Sequence, residues 1–596
     1  MRVAYNRFAA DPDLRAAAAA RTADFVESEA EFHLGVLPTE GSHPITKTLS
    51  DDIAASTTRG IAQLLAVDGE LTAVARRAVV SAAFDTLVDA LHTVASDRSR
   101  NAPRVCFSGC GSTGRLAILL EAMWREFWTA SDDPTAAGIA ARASSIMTGG
   151  DRALIRSVEN FEDYHALGAR QVADLALGPH DLLIAVSEGG ETSSVLGTVA
   201  EALRRGVTVV FVYNNPTALL ADAVDRSRVV IEDPRVTTLD LFSGPMALSG
   251  STRMQATTLE LLVLGIAMEA ALTAGDRGDT ASTRARRLRR VDHFARLLAS
   301  LGNADSLATL AALTDLEHEV YAAGGLVTYF ADRFLLDVFS DTTERTPTFM
   351  LPAFRRSDDR DAPVSWAFAK DALRTTEQAW HRMLGRTPRG LNWDAAAYRA
   401  MGAPQSLVDA PPALNLDEIV RYRIGNEADA SRWDAPRALA LPVVLDRDSA
   451  AWAQRAALGL PDHVELVVLA VRSTSAPAES GVDAAPGTLG LQLEIEPSPV
   501  ALFHHLALKL VFNTVSTASM ALAERIRGNW MIQVDPTNKK LIDRATRIIA
   551  DLAQLSYRDA CSELFISMEA RRRAAAAGGD STDSPVVAAL DRLGRW

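Results

Sequence analysis

Short apolar runs recur along the first half of the chain, and each is followed by a stretch in which apolar residues recur with helical spacing. The runs lie at 105–108, 144–147, 181–187, 207–213 and 229–231. The run at 182–186 is apolar without alternation, which is typical of a parallel strand covered on both faces. Strands that alternate with helices in this way predict a doubly wound parallel sheet.

The same alternation restarts after about residue 311. Strands are predicted at 325–330, 346–351, 439–445, 464–471 and 489–495, and a mostly helical insertion at 355–435 carries Trp366, Trp380, Trp393 and Trp433. The helix predicted at 501–523 echoes the one at 253–272, which indicates a long-period, diverged internal repeat. We therefore predict an α/β protein with two doubly wound parallel-sheet modules in tandem and helical N-terminal and C-terminal segments. The predicted division is 1–57 (N-terminal helical segment), 58–275 (first module), 276–310 (helical connector), 311–535 (second module) and 536–596 (C-terminal helical lid and tail).

Composition narrows the class of protein. The chain has 596 residues, 48% of them hydrophobic, which is enough for two cores. No charge-free apolar run reaches the roughly 18 residues of a membrane span, and the first residues lack a signal core, so we expect a cytoplasmic protein. Three cysteines fit a reducing compartment and make a structural zinc site improbable. The net charge of −14 argues against nucleic acid as a partner.

Three polar, glycine-bearing turns follow predicted strands, at 109–114, 187–193 and before the helix that opens at 249–253. Glycines let a ligand approach the backbone, and a helix N-terminus offers unpaired N–H groups that suit a phosphate. A single turn of this kind is more often structural. Three in one sheet favour an anion site at the carboxyl ends of the strands. The candidate binding residues are Gly111, Ser112, Thr113, Ser187, Thr192, Ser193, Ser251 and Thr252.

Three charged residues outside these turns are considered separately. Glu159, on a predicted helix, and Glu344, in a predicted loop, are both read as solvated surface residues from sequence alone. Lys509 interrupts the apolar stretch 506–512. A lysine in such a stretch needs a partner or a route to solvent, so a ligand-binding role and a snorkelling side chain stay open as alternatives.

The motifs resemble the SIS (sugar isomerase) superfamily, and within it the branch that holds N-acetylmuramic acid 6-phosphate etherase and the glucokinase regulatory protein. The motifs that carry the resemblance are GCGSTGR at 109–115, GGDR at 149–152, VENFED at 158–163, SGSTRM at 249–254, KLVFNTVST at 509–517, GNWM at 528–531 and NKKL at 538–541, with TEG at 39–41. The resemblance implies two flavodoxin-like SIS modules in one chain, with a helical lid and a sugar-phosphate pocket between the modules.

The same resemblance implies roles for particular residues. Phosphate binding falls on Ser112 and Thr113, with Ser251 and Thr252 as further ligands, and the etherase's base falls on Glu159. The etherase's other catalytic glutamate falls near Met123, a departure, but the sequence around Glu344 in the second module resembles that glutamate's motif. With Lys509 also in the second module, the two modules complement each other in one composite pocket. The loop 322–325 of the second module lacks the Ser/Thr pattern and is expected to bind no phosphate.

The expected function is that of a sugar-phosphate-binding protein. One hypothesis is an etherase-like carbon–oxygen lyase that abstracts the C2 proton of a sugar 6-phosphate. The alternatives are a non-catalytic sensor that regulates a sugar kinase, as in the glucokinase regulatory protein, and a phosphosugar isomerase. No cofactor or metal is expected. A pseudo-dimer within one chain is compatible with a monomer, and the oligomeric state stays open.

Overall fold

The computed structural model describes residues 9, 11–158, 161–273, 280–446, 450–474, 487–577 and 584–595. The N-terminal segment contains α1 (Pro12–Ser28) and α2 (Leu49–Ala55), with 3₁₀ turns at 30–32, 34–36, 38–40 and 44–46 between them. This segment lies far from the C-terminal helices in sequence but packs against them. The packing helps to form the functional site described below.

The first module is built on five parallel strands in the order β2-β1-β3-β4-β5. They are β1 (Val105–Gly109), β2 (Ala143–Met147), β3 (Leu182–Val186), β4 (Thr208–Tyr213) and β5 (Val236–Asp240). Every residue of β1 and β3 is buried, as expected for strands with helices on both faces. The strand order reverses between β1 and β3, and ligands bind at such switch points in doubly wound sheets.

Helices cover both faces of this sheet. They are α3 (Thr57–Ala78), α4 (Ala82–Ser96), α5 (Gly111–Thr129), α6 (Ala136–Ala140), α7 (Arg152–Ile155), α8 (His165–Asp174), α9 (Ser193–Arg204), α10 (Thr217–Ala223), α11 (Asp225–Ile231) and α12 (Gln255–Leu272). By length and composition α12 could cross a membrane, but 94% of it is buried inside the protein, against α4 and the second module.

The second module repeats the first. Its parallel strands run in the order β11-β10-β8-β6-β7, which is the same 2-1-3-4-5 order counted within the module, with a short β9 beside β8. They are β6 (Leu326–Ala331), β7 (Ala367–Asp371), β8 (Ala438–Leu445), β9 (Glu465–Leu466), β10 (Val468–Ser473) and β11 (Thr488–Leu493). The prediction of two doubly wound parallel sheets in tandem is confirmed.

The remaining helices connect, insert and close the fold. They are α13 (Ala281–Leu301), α14 (Ala304–Ala322), α15 (Leu335–Phe349), α16 (Thr376–Leu384), α17 (Ala395–Ala400), α18 (Gln405–Asp409), α19 (Leu416–Ile419), α20 (Leu502–Leu522), α21 (Lys539–Ala553), α22 (Tyr557–Ala576) and α23 (Pro585–Arg592), with a small hairpin of β12 (Ile526–Arg527) and β13 (Trp530–Met531). One hydrophobic cluster runs through both modules, because α5, α12, α15 and α20 pack between the two sheets.

Two predicted strands are wrong. Residues 229–231 are the last residues of helix α11. Only Val230 of the three is buried, and Val229 is 71% exposed. The strand predicted at 346–351 is the end of α15, which runs through Pro347 and stops where Met350 adopts a left-handed conformation. The buried positions of α15 include Asp341, Arg345 and Phe349, so the helical face continues past the proline that suggested a break.

The segment 355–435 is not simply a helical insertion. It contributes β7, which pairs with β6 in the second sheet, and α16, which packs on that sheet's helix α15. The following loop reaches the first module, where the buried Arg386 guanidinium forms ion pairs with Glu121 at 2.8 Å and Asp151 at 2.5 Å. Part of the segment therefore fixes the two modules to each other.

Candidate functional site

A cavity opens at the switch point of the first sheet, where the chain leaves β1, β2 and β3. It encloses about 1000 Å³ of space, which includes open solvent at its mouth. Four parts of the chain line it: the turns of the first module, α15, the β13 region and α21. The lining residues include Cys110, Gly111, Ser112, Arg115, Met147, Thr148, Glu162, Glu188, Thr192, Gly250, Ser251, Thr252, Arg253, Glu344, Lys540 and Arg544.

The turn between β1 and α5 shapes the cavity floor. A Cβ atom at Gly109 would lie 2.3 Å from the main-chain carbonyl of Thr113, so only glycine lets the strand end this close to the helix. Thr113 caps its own helix, since its Oγ1 accepts the Cys110 N–H at 3.0 Å. Gly111 and Ser112, at the first turn of α5, face the cavity. Unpaired N–H groups and the positive end of the dipole at this turn suit an anion.

Glu344 approaches this turn from the second module. The Ser112 hydroxyl donates a hydrogen bond to Glu344 Oε1. One turn earlier on α15, the buried Asp341 accepts from Arg253 at 3.0 Å and from Arg345 at 2.8 Å. Because positions three apart lie on one helix face, this anchoring directs Glu344 toward the first module.

Lys509 lies beside the cavity rather than in its main chamber. It lines a smaller adjoining space together with Ser112 and Glu344. Its ammonium donates to the Arg253 carbonyl at 2.5 Å, and Asn513, one turn later on α20, donates to the same oxygen at 3.0 Å. Burial lowers the pKa of Lys509 to about 8, although Glu344 opposes that shift. Through the two hydrogen bonds to the Arg253 carbonyl, the second module fixes the 249–254 turn of the first module.

The roof of the cavity comes from α21. Lys540 forms an ion pair with Glu191 at 2.6 Å, and Arg544 pairs with the N-terminal Glu40 at 2.5 Å. Gly250, with φ of +71°, lies beneath: a Cβ there would be 2.4 Å from Arg544 Nε. Glycine at 250 is what allows α21 to approach this closely.

The cavity wall also carries Glu188, in the turn after β3. Its side chain is buried and makes no ion pair among those recorded for the described parts of the chain. Burial raises the pKa of Glu188 to about 7, and the nearby Glu344 and Glu191 carboxylates act in the same direction. No group of three or more His, Cys, Asp and Glu side chains within the described ranges could hold a metal ion.

The candidate residues separate into three groups. Gly111, Ser112, Thr192, Ser251, Thr252 and Glu344 line the cavity, and Lys509 lines the adjoining space. Thr113 caps α5, the buried Ser187 donates to Thr192 at 3.1 Å, and Ser193 begins α9; these three are not among the described lining residues. Glu159 lies outside the described residues, and the helix expected to run through it is observed only as α7. The roles of all these residues stay predictions.

Sequence reasoning missed several charged lining residues. Arg115, Arg253 and Lys540 stand inside the quoted motifs, which was a usable signal, whereas Arg544 lies one turn beyond one of them. Glu188 lies in the 187–193 turn, but only the hydroxyl-bearing residues of that turn were taken as candidates.

The turn of the second module that corresponds to the β1–α5 turn also differs from expectation. The loop 322–325 precedes β6, at the edge of the sheet opposite the ligand-binding edge. The corresponding turn is 332–334, Asp-Arg-Phe, where Arg333 pairs with Glu126 of α5 at 2.9 Å. This turn also lacks serine and threonine.

Comparisons with known proteins find sequence matches in the first module. Residues 86–203 match the family model of the glucokinase regulatory protein N-terminal SIS domain. This part of the first module is therefore similar to a SIS domain. The resemblance to the branch with the etherases and the glucokinase regulatory protein is thereby confirmed.

Individual relatives match the same region. The N-acetylmuramic acid 6-phosphate etherase of Aeromonas hydrophila is 32% identical over 170 residues, 28% of this chain and 50% of the relative. That of Deinococcus radiodurans is 34% identical over 194 residues, 32% of this chain and 57% of the relative. The chain thus spans about half the length of the curated relatives it matches. Among solved structures, tagatose-6-phosphate ketose/aldose isomerase from Escherichia coli superposes with a TM-score of 0.40 and 13% identity, covering 82% of this chain and 99% of the isomerase.

Proposed function

We propose that the protein binds a sugar 6-phosphate in the cavity at the first module's switch point and acts on it as an etherase-like lyase. The observation that carries the proposal is the hydrogen bond from Ser112 of the first module to Glu344 of the second. An anion cradle and a carboxylate placed by different modules meet in one cavity. Matches to N-acetylmuramic acid 6-phosphate etherases in the first module support the choice of substrate class.

Phosphate binding is assigned to the helix N-terminus and its hydroxyls. Ser112, Ser251 and Thr252 present hydroxyl groups to the cavity, and the first turn of α5 presents N–H groups. Lys540 and Arg544 also line the cavity from α21, where each forms an ion pair with a carboxylate, Glu191 and Glu40 respectively. The sugar ring then lies between these groups and Glu344.

The proposed reaction is elimination followed by addition of water. In the open-chain sugar the C1 aldehyde acidifies the C2 proton, which Glu159 removes. The C3–O bond breaks, Glu344 in its acid form gives a proton to the leaving lactate oxygen, and a C2–C3 double bond forms. Water then adds at C3, giving its proton back to Glu344, and Glu159 returns a proton to C2. Each acid–base group typically contributes about 10²–10⁴-fold to such a rate.

Lactate release from N-acetylmuramic acid 6-phosphate tests the reaction, with deuterium incorporation at C2 in heavy water as a second readout. Glu344→Gln should keep substrate binding, measured by thermal shift, and lose lactate release by at least about 10²-fold. Ser112→Ala, by contrast, should weaken binding. If the wild type releases no lactate and shows no C2 exchange, the lyase assignment is wrong.

A sensor function is the second candidate, favoured by the match of residues 86–203 to the glucokinase regulatory protein model. A sensor would bind a sugar phosphate without turnover and alter the activity of a sugar kinase. Inhibition of a purified hexose kinase by this protein, with and without fructose 6-phosphate, tests this alternative. Ketose formation without lactate release would instead identify an isomerase.

The composite cavity also bears on oligomeric state. Because one chain supplies both the cradle and Glu344, a monomer contains a complete site. Sedimentation equilibrium at assay concentrations should therefore show active monomers.

A further inference from the structure

Glu188 has no part in the reaction proposed above, although it lines the same cavity as Glu344. The backbone around it is fixed at the carboxyl end of the sheet. The Ser187 N–H donates to the Val212 carbonyl at 3.0 Å, and the Glu188 carbonyl accepts the Asn214 N–H at 2.9 Å. The side chain is therefore held in the cavity wall by two neighbouring strands.

The contact between Glu188 and Thr257 indicates which form of the carboxyl fits. Thr257 Oγ1 lies 2.9 Å from the Thr252 carbonyl and 3.3 Å from Glu188 Oε1. A hydroxyl has one proton to donate and two acceptor positions. A carbonyl can only accept, so the Thr257 proton belongs to the shorter contact. A carboxylate at Glu188 would have to share that proton with the Thr252 carbonyl, whereas a neutral Glu188 can donate its own proton to a free acceptor position of Thr257.

The charges around Glu188 agree with the neutral form. Glu344 faces it from α15, Glu191 from its own turn and Glu260 from α12, whereas the ammonium of Lys540 on α21 is already paired with Glu191 at 2.6 Å. Glu260 is fully buried, and neither of its carboxyl oxygens has a hydrogen-bond partner within the described part of the chain. Burial and the neighbouring carboxylates together raise the pKa of Glu188 to about 7, with Lys540 in opposition.

Glu344, in contrast, accepts a hydrogen bond from the Ser112 hydroxyl, as a carboxylate does. One neutral and one ionised carboxyl in a single cavity are what the opening of a cyclic hemiacetal requires, since one group must give a proton while another takes one. We propose that Glu188 is a further acid–base residue of this site and opens the sugar ring together with Glu344. This inference rests on the proposed sugar-phosphate function.

The protons balance through the whole cycle. Glu188 gives its proton to the ring oxygen as the C1–O5 bond breaks, and Glu344 takes the proton of the C1 hydroxyl as the aldehyde forms. Ring opening thus leaves Glu344 with the proton that it later gives to the lactate oxygen. After water has returned that proton to Glu344, ring closure runs the first step backwards and restores neutral Glu188 and ionised Glu344.

The test follows ring opening without elimination. N-acetylglucosamine 6-phosphate has no lactate to lose, but its two anomers interconvert only through the open chain, and NMR exchange spectroscopy measures that rate. The wild type should accelerate the exchange, and the acceleration should fall as the pH rises through about 7, where the pKa of Glu188 places the loss of its proton. Glu188→Gln should reduce the acceleration by about 10²-fold or more and remove this alkaline limb. Binding of the sugar phosphate should persist.

Glu188→Asp keeps an acid and should restore part of the acceleration together with the alkaline limb, which a purely structural role would not do. If Glu188→Gln does not fold, Glu188→Asp decides alone: a retained limb supports the inference and a missing limb overturns it. Anomer exchange that the wild type does not accelerate, or that Glu188→Gln accelerates equally well, also overturns it. Lactate release reports separately on the proposed function, so failure of one is distinguishable from failure of the other.

Discussion

Replacement of Glu40 by glutamine should release α21 from the cavity. Glu40 belongs to the N-terminal segment, yet its carboxylate accepts from Arg544 at 2.5 Å and from Arg547 at 2.7 Å, both on α21. The Glu40 side chain is only 2% exposed. The neutral amide of Glu40→Gln would leave the buried Arg544 guanidinium without its ion-pair partner, and Arg547 with Asp543 alone at 2.8 Å.

The size of the effect follows from the pKa of Glu40. Burial alone would raise it, but Arg544 and Arg547 outweigh burial and lower it from 4.5 to about 2. That difference corresponds to about 3 kcal/mol of stabilisation at neutral pH. Removal of one partner from a buried ion pair typically costs about 3–5 kcal/mol, which agrees. Because the folded-state pKa is the lower one, the contribution is complete above about pH 4.5 and disappears as the pH falls toward about 2.

Glu27→Gln is the matched control. Glu27 also joins the N-terminal segment to a C-terminal helix, through Arg558 at 3.0 Å, but these two side chains are 66% and 53% exposed. An exposed pair of this kind contributes about 0–1 kcal/mol. Urea unfolding at pH 7 should show a loss of about 3 kcal/mol for Glu40→Gln only, and hydrogen exchange should locate the extra opening in α21. Equal stability of the two variants would refute the reasoning.

Two further changes test the contact beneath α21 and the adjoining space that Lys509 lines. Gly250→Ala should raise the Kd for a sugar 6-phosphate at least about tenfold, because its Cβ would collide with Arg544; Gly244→Ala also has a positive φ but meets nothing within 4 Å, and should bind normally if the collision decides. Lys509→Met should reduce lactate release by about 10²-fold, because its ammonium holds the 249–254 turn through the Arg253 carbonyl at 2.5 Å and misplaced binding groups slow the reaction. The melting temperature should not fall, since a pKa lowered to about 8 means that the charged lysine costs folding free energy at pH 7. Wild-type stability should correspondingly rise between about pH 8 and pH 10.5. The exposed Lys539→Met is the control, and a loss of stability specific to Lys509→Met would contradict the assignment.

The fold was predictable because its signals are local. Continuous apolar runs such as β3, each followed by a helical period, identify parallel strands one at a time, and parallel strands bring their following turns to one edge. The two wrong strands have local causes as well. Three β-branched residues at 229–231 favour a strand on propensity, but the spacing of buried positions in α11 is helical. Pro347 suggests a break, but it lies close to the natural end of α15.

The site was only partly predictable because its contacts are distant in sequence. Hydroxyls at strand ends could be listed from the motifs, and the hydrogen bond between Ser112 and Glu344 crosses 232 positions. The pair of Glu40 with Arg544 crosses 504 positions, and no periodicity or propensity reports such a contact. Glu188 could be recognised only from the structure, because its protonation state is inferred from its contact with the Thr257 hydroxyl.

The internal repeat explains why one chain should contain one such site. The two modules have the same strand order, so α5 and α15 occupy corresponding places, and each approaches the turn that precedes the other. At the first turn, the Ser112 hydroxyl donates a hydrogen bond to Glu344. Around the second turn Arg333 meets Glu126, and Met123 lies where the family resemblance places the glutamate. In the proposed function, one module supplies the phosphate-binding turn and the other supplies the carboxylate, so only their combination forms the site.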